Sequence, residues 1–167
     1  MGESSAEQYG GLSYTFNIEK FTEVKPSVVD AIKDGMVRTW TRLIGTERGF
    51  NVRIASYLVD PQTGEKIDFS ALYSPETDTF QFALDTAKEK IKLGLDEETT
   101  MFVLAAHETT HAVQVKKGVK LKLSKDNSDY RNNPYETEAW KVAASVLKDK
   151  YPGASGSIIT GDIRVDL

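Results

Sequence analysis

An α+β fold is predicted for this 167-residue chain by three features. Residues 26–44 and 134–150 place their apolar side chains on one helical stripe each. Residues 50–84 hold three runs at period two, separated by short turns, which predicts a small antiparallel sheet. Residues 96–117 have helix start and stop signals around an apolar centre. The predicted order is an N-terminal helix, a short antiparallel sheet, a central helix bearing H-E-x-x-H, and a C-terminal helix bearing two glutamates. The length fits one domain, residues 1–167, with a sizeable core.

Residues 1–11 are small and polar and end in glycine, so a flexible tail is expected. Residues 12–18 alternate weakly and predict a short strand. In the first helix, Val28, Val29, Ile32, Met36, Trp40, Leu43 and Ile44 form the stripe. Ser27 with Asp30 resembles a capping box beside Pro26, and Gly45 is the stop. The first alternating run puts Phe50, Val52, Ile54 and Leu58 on one face. A turn at 60–64 leads to the second run, with Ile67, Phe69, Ala71 and Tyr73 on one face. A second turn at 74–78 leads to the third, with Phe80, Phe82 and Leu84 together. An exposed edge of such a sheet can receive an extended peptide by strand addition.

Residues 85–93 predict a short helix stopped at Gly94. Asp96 is the expected N-cap of the next helix, with Glu97 and Glu98 in its first turn, Lys116 and Lys117 in its last, and Gly118 after it. Residues 119–123 alternate and predict a strand, and residues 124–133 a loop. Asn133 and Pro134 predict the start of the last helix. Residues 151–167 are expected to return as an extended arm.

The central helix carries His107-Glu108-Thr109-Thr110-His111. Residues four apart on a helix lie about 40° apart around the axis and about 6 Å apart along it. His107 and His111 can therefore converge on one metal ion. Glu108 is displaced sideways, where it can reach a water on the metal without being a ligand. That is the arrangement of a zinc-assisted hydrolase. The plain alternative is a buried helix with two satisfied histidines. Against it, the chain has only two histidines and both fall in the motif. The preceding residues 101–106 are apolar on every side, which predicts a buried helix.

A hydrolytic zinc site takes three protein ligands and leaves one position open. The histidines are used up and there is no cysteine, so the third ligand is an acid or, less readily, a tyrosine. A metzincin extension fails, because Gln114 and Lys117 stand where glycine and histidine are needed. The downstream acids are Asp126, Asp129, Glu136, Glu138, Asp149, Asp162 and Asp166. At about 100° per residue, Glu136 lies within about 40° of the centre of the stripe made by Ala139, Trp140, Ala143, Val146 and Leu147, and Glu138 about 120° away. Glu136 then points inward, and Glu138 faces solvent or supports a ligand. On local grammar, a capping box of Asn133 with Glu136 is an equal alternative.

The segments H-E-T-T-H-A-V-Q and Y-R-N-N-P-Y-E-T-E-A resemble the small gluzincin-type zinc metallopeptidases, over about residues 96–147. The resemblance implies a zincin-like fold, one Zn²⁺ per chain held by His107, His111 and Glu136, and Glu108 as general base. Many gluzincins place an aspartate four residues after the ligand glutamate to support a histidine; here that position is Trp140. An oxyanion donor is also required, with Tyr130, Arg131 and Tyr135 as candidates.

The expected function is zinc-dependent hydrolysis of peptide bonds, with a peptide or protein substrate along a sheet edge. The alternative is a non-enzymatic structural or peptide-binding component of a larger assembly on the same scaffold. A net charge of −4 argues against a general nucleic-acid partner. No apolar run reaches membrane-spanning length and no secretory signal opens the chain, so a cytoplasmic location is the default expectation, with export by another route left open.

Overall fold

Every residue from 100 to 114 is buried, and the fold is arranged so that one helix can be covered on all sides. The computed structural model describes residues 3–9, 12–20, 22–46, 48–60, 62–90, 96–120, 133–160 and 163–167. Its elements are β1 (Glu3–Tyr9), β2 (Leu12–Ile18), α1 (Pro26–Leu43), β3 (Gly49–Ala55), β4 (Leu58–Val59), β5 (Lys66–Ile67), β6 (Ala71–Ser74), β7 (Thr79–Ala83), α2 (Leu84–Lys90), α3 (Glu97–Lys116), α4 (Pro134–Lys150), β8 (Ser157–Thr160) and β9 (Ile163–Asp166). The fold is mixed α+β.

The main sheet differs from the expected antiparallel meander. Its order is β1-β2-β3-β7-β6, with β2 parallel to β3 and β3 parallel to β7, and with antiparallel pairs only at the two edges. The physical reason is the crossover. Helix α1 joins β2 to β3, and a helix between neighbouring strands returns the chain in the same direction. The 50–59 run breaks at the bend of Ser56 and Tyr57, and the 66–73 run breaks after Ile67. Their inner ends pair as a separate small hairpin, β4 with β5, leaving β6 as the short antiparallel edge beside β7. Residues 3–9, expected in a flexible tail, form β1 and pair along the whole of β2. The C-terminal arm folds back on itself as the hairpin β8–β9.

Alternation holds within the strands. Tyr14, Phe16, Phe50, Val52, Ile54, Phe80 and Phe82 are buried on one face of the sheet, in register as Tyr14 opposite Phe50, Phe16 opposite Val52, and Val52 opposite Phe80. The other face is half-exposed and polar, with Arg53 bonded to Gln81 and to Glu19.

The helices follow their sequence signals with one exception. Asp96 caps α3 by accepting from the Thr99 N–H at 2.7 Å, and Asn133 caps α4 by accepting from the Tyr135 N–H at 2.9 Å. At α1 the N-cap is Lys25, with no side-chain cap. The expected Ser27–Asp30 box gives way to a longer-range bond, in which Ser27 Oγ donates to Glu98 Oε1 of α3 at 2.8 Å. Helices α1 and α3 pack at backbone range. A Cβ at Gly35 would stand 2.6 Å from the Phe102 carbonyl oxygen and 3.0 Å from Ala105 Cβ, so only glycine admits this approach. Residues 121–123 of the expected 119–123 strand lie outside the described residues; Val119 and Lys120 are not in a strand.

Candidate metal centre

Three ligating atoms meet between α3 and α4. His107 and His111 lie one turn apart on α3, and their Nε2 atoms are 3.0 Å apart. Glu136, in the first turn of α4, brings Oε1 to 2.7 Å from His111 Nε2 and 3.1 Å from His107 Nε2. The cluster is buried between the helices, with side-chain exposures of 4%, 8% and 18% for His107, His111 and Glu136. Such a group could hold a metal ion.

The donor set suits a cation. Two imidazole nitrogens facing each other and one carboxylate oxygen are three lone-pair donors aimed at one point. A tetrahedral ion bonded at about 2.0–2.1 Å sets its ligand atoms about 3.4 Å apart. The present spacings fall a few tenths of an ångström short of that, within the movement of side chains on fixed helices. Glu136 therefore serves the histidines, and Asn133 caps the helix alone through the Tyr135 N–H.

Electrostatics report the same pairing among these side chains. Burial alone would raise the Glu136 carboxyl, but the hydrogen bonds and charges of His107 and His111 outweigh it and hold the group down at about 2. Burial would lower His111, but its bonds to Glu136 and Gln114 and the nearby Glu108 charge raise it to about 9.

Glu108 is buried beside the cluster and outside it. Its Oε1 is 3.9 Å from His107 Nε2, too far for a hydrogen bond. Burial pushes its carboxyl above the usual range, against the opposing pull of the two imidazoles, and the Tyr73 main chain of edge strand β6 hydrogen-bonds to it.

The two histidines are held by different means. His107 lies against the Trp140 ring, with centroids 3.9 Å apart and planes tilted by 38°, and its Nδ1 is buried with no hydrogen-bond partner among the described residues. Packing by Trp140 thus occupies the place where the gluzincin resemblance leads one to expect an aspartate. His111 Nδ1 is 2.8 Å from Gln114 Oε1. Sequence reasoning used Gln114 only to dismiss a metzincin extension. Its signal was its place three residues after His111, on the same helical face, as an amide between Val113 and Val115.

The other site candidates fall as follows. Glu138 Oε1 accepts from Gln114 Nε2 at 2.8 Å, so it reaches His111 through one intervening side chain. Tyr135 is 40% exposed and meets the site through its carbonyl, which accepts from Gln114 Nε2 at 3.0 Å. Tyr130 and Arg131 lie outside the described residues.

No helix among the described residues is long and apolar enough to cross a membrane. Compared with family models, with curated proteins and with solved structures, the chain matches none of them.

Proposed function

We propose that this chain is a zinc-dependent metallopeptidase of zincin-like fold, with the gluzincin-like ligand set His107, His111 and Glu136. The observation that carries the reading is Glu108. A buried carboxylate is costly, and this one stands 3.9 Å from His107 Nε2, beside three ligating atoms without joining them. A structural metal site has no use for that fourth group; a hydrolytic one needs it.

Bound zinc supplies polarisation of the scissile carbonyl and acidification of a water molecule. The remaining work belongs to the chain. Glu108, its carboxyl raised by burial above the usual carboxylate range, accepts the water proton and delivers it to the leaving nitrogen. Its hydrogen bond from the Tyr73 main chain aims it and ties it to β6. That strand is an edge of the sheet and is the surface proposed to align an extended peptide. Tyr130, Arg131 and Tyr135 remain the proposed sources of an oxyanion donor.

One observation favours a second reading, a non-enzymatic structural or peptide-binding component. The cluster is deeply buried, as a structural ion would be. Metal analysis of purified protein, paired with cleavage of a broad peptide library, separates the two. About one zinc per chain with cleavage supports the peptidase. Full zinc occupancy without cleavage assigns the site to structure, and a metal-free, folded protein from a zinc-replete preparation removes the metal site and the peptidase, leaving a non-enzymatic component without metal.

A further inference from the structure

We propose that Gln114 is the positioning residue of the metal centre: it fixes the His111 tautomer and couples that choice to the helix that carries Glu136. The inference rests on the metal reading above and assigns a role to a residue outside the ligand set.

The argument runs through the amide. Gln114 is buried, 3% exposed, and all its polar capacity is directed inward. One end lies 2.8 Å from His111 Nδ1. The other faces the Tyr135 carbonyl at 3.0 Å and the Glu138 carboxylate at 2.8 Å. A carbonyl can only accept, and an ionised carboxylate can only accept. Both must be met by the NH₂ group. An inverted amide would set its oxygen against two acceptors, so the inversion that ordinarily leaves such groups ambiguous is ruled out here. The amide oxygen therefore faces His111, and that oxygen accepts only. The proton must sit on Nδ1, which leaves Nε2, the nitrogen facing His107 Nε2 and Glu136 Oε1, as the one that binds a metal.

The same side chain joins two elements. Gln114 and His111 belong to α3; Tyr135 and Glu138 flank Glu136 on α4. The donors of Gln114 thus hold the turn of α4 that presents the third ligand, while its acceptor orients the second. His107 has no such partner at Nδ1 and is held by the Trp140 ring. The centre has one hydrogen-bonded histidine and one packed histidine, and Gln114 is what makes them unequal.

The test is a zinc-competition titration of wild type, Gln114→Met, Gln114→Glu, and the exchange Gln114→Glu with Glu138→Gln, together with a ¹H–¹⁵N correlation spectrum of the imidazoles. Gln114→Met keeps the length of the side chain and removes both hydrogen-bonding ends. It is expected to raise the zinc Kd about 10–100-fold, as loss of a group supporting a ligand does, and to abolish the protected His111 Nδ1–H signal. Gln114→Glu keeps the acceptor toward His111 but opposes Glu138 with like charge, and zinc binding falls. The exchange restores a donor facing an acceptor between positions 114 and 138 and leaves the Tyr135 carbonyl unpaired, so it is expected to recover part of that loss. It also keeps the test alive should Gln114→Met not fold. A merely structural glutamine would lower the melting temperature in Gln114→Met and leave the zinc Kd and the Nδ1–H signal unchanged; that result overturns the proposal. So does an exchange that binds zinc no better than Gln114→Glu. If wild type takes up no zinc, the metal reading falls; if it takes up zinc and Gln114→Met binds it equally well, this proposal alone falls.

Discussion

Replacing Glu108 by glutamine should separate three properties of this site that usually fail together. The side chain keeps its length, and its amide oxygen can still accept from the Tyr73 main chain, so the edge strand β6 stays in place. A carboxylate raised by burial is removed, so the folded state loses a group that resists ionisation there. Stability near neutral pH is expected to be unchanged or higher. Metal affinity should also persist, because Glu108 Oε1 stands 3.9 Å from the nearest ligand nitrogen and shares no bond with it. Catalysis alone should fall. General-base chemistry is worth about 10²–10⁴ in rate, or about 3–5 kcal/mol at 1.36 kcal/mol per decade. The assay is peptide cleavage by wild type and Glu108→Gln at matched zinc occupancy, with melting temperatures measured alongside. Equal cleavage by the two proteins refutes the mechanism even with zinc bound. Loss of zinc from the mutant would show instead that Glu108 is a ligand.

Other outcomes follow from single contacts. Glu136→Ala should lose most zinc affinity in a competition titration, whereas Glu138→Ala, acting through Gln114, should cost no more than about tenfold; the reverse ranking would mean that the ligand is misassigned. Gly35→Ala forces a Cβ to within 2.6 Å of the Phe102 carbonyl oxygen. The clash is with a main-chain oxygen, so overpacking falls in the upper part of its range, about 2–3 kcal/mol; less about 1 kcal/mol of helix propensity, this leaves a loss of about 1–2 kcal/mol and about 2–8 °C in Tm, and an unchanged Tm would show that α1 and α3 part freely. The Tyr73 phenol, buried and donating to Asp78 at 2.7 Å, is pushed up to about 12. A folded pKa above the unfolded value near 10 means that its stabilisation is complete below pH 10 and is lost as pH rises through about 12. An ultraviolet titration should find Tyr73 among the late-titrating tyrosines, shifted down in Asp78→Asn, and a normal titration for Tyr73 would disprove the bond.

What the sequence revealed and what it concealed divide by distance along the chain. His107, Glu108 and His111 were legible because one helical turn fixes their relation. Glu136 was legible because helical phase separates it from Glu138, although phase alone could not choose between a ligand and a cap. The role of Gln114 was not, since its partners Tyr135 and Glu138 lie on another helix and an amide announces no chemistry. The faces of the strands followed from period two, but their partners did not. Phe50 and Phe80 mark an inward face whichever way the neighbouring strand runs; the α1 crossover decides the parallel β2–β3 pair, and the excursion through β4, β5 and β6 brings β7 back parallel to β3. In β1, Glu3–Tyr9 has no apolar alternation to read; its strand character comes from the β2 backbone beside it.

The unbroken burial of α3 from residue 100 to 114 has a consequence for amide hydrogen exchange. A helix covered on every side has no local route by which its backbone bonds can open, so its amides exchange only when the whole molecule unfolds. The histidines sit in that helix, and their relative placement is set by the global fold rather than by an ion. Binding a metal then leaves the exchange pattern of α3 unchanged in shape. All of its slowest amides slow together, by the factor 1 + [L]/Kd that binding adds to global stability. A small metal-organised domain behaves otherwise, gaining its protected helix only when the ion arrives.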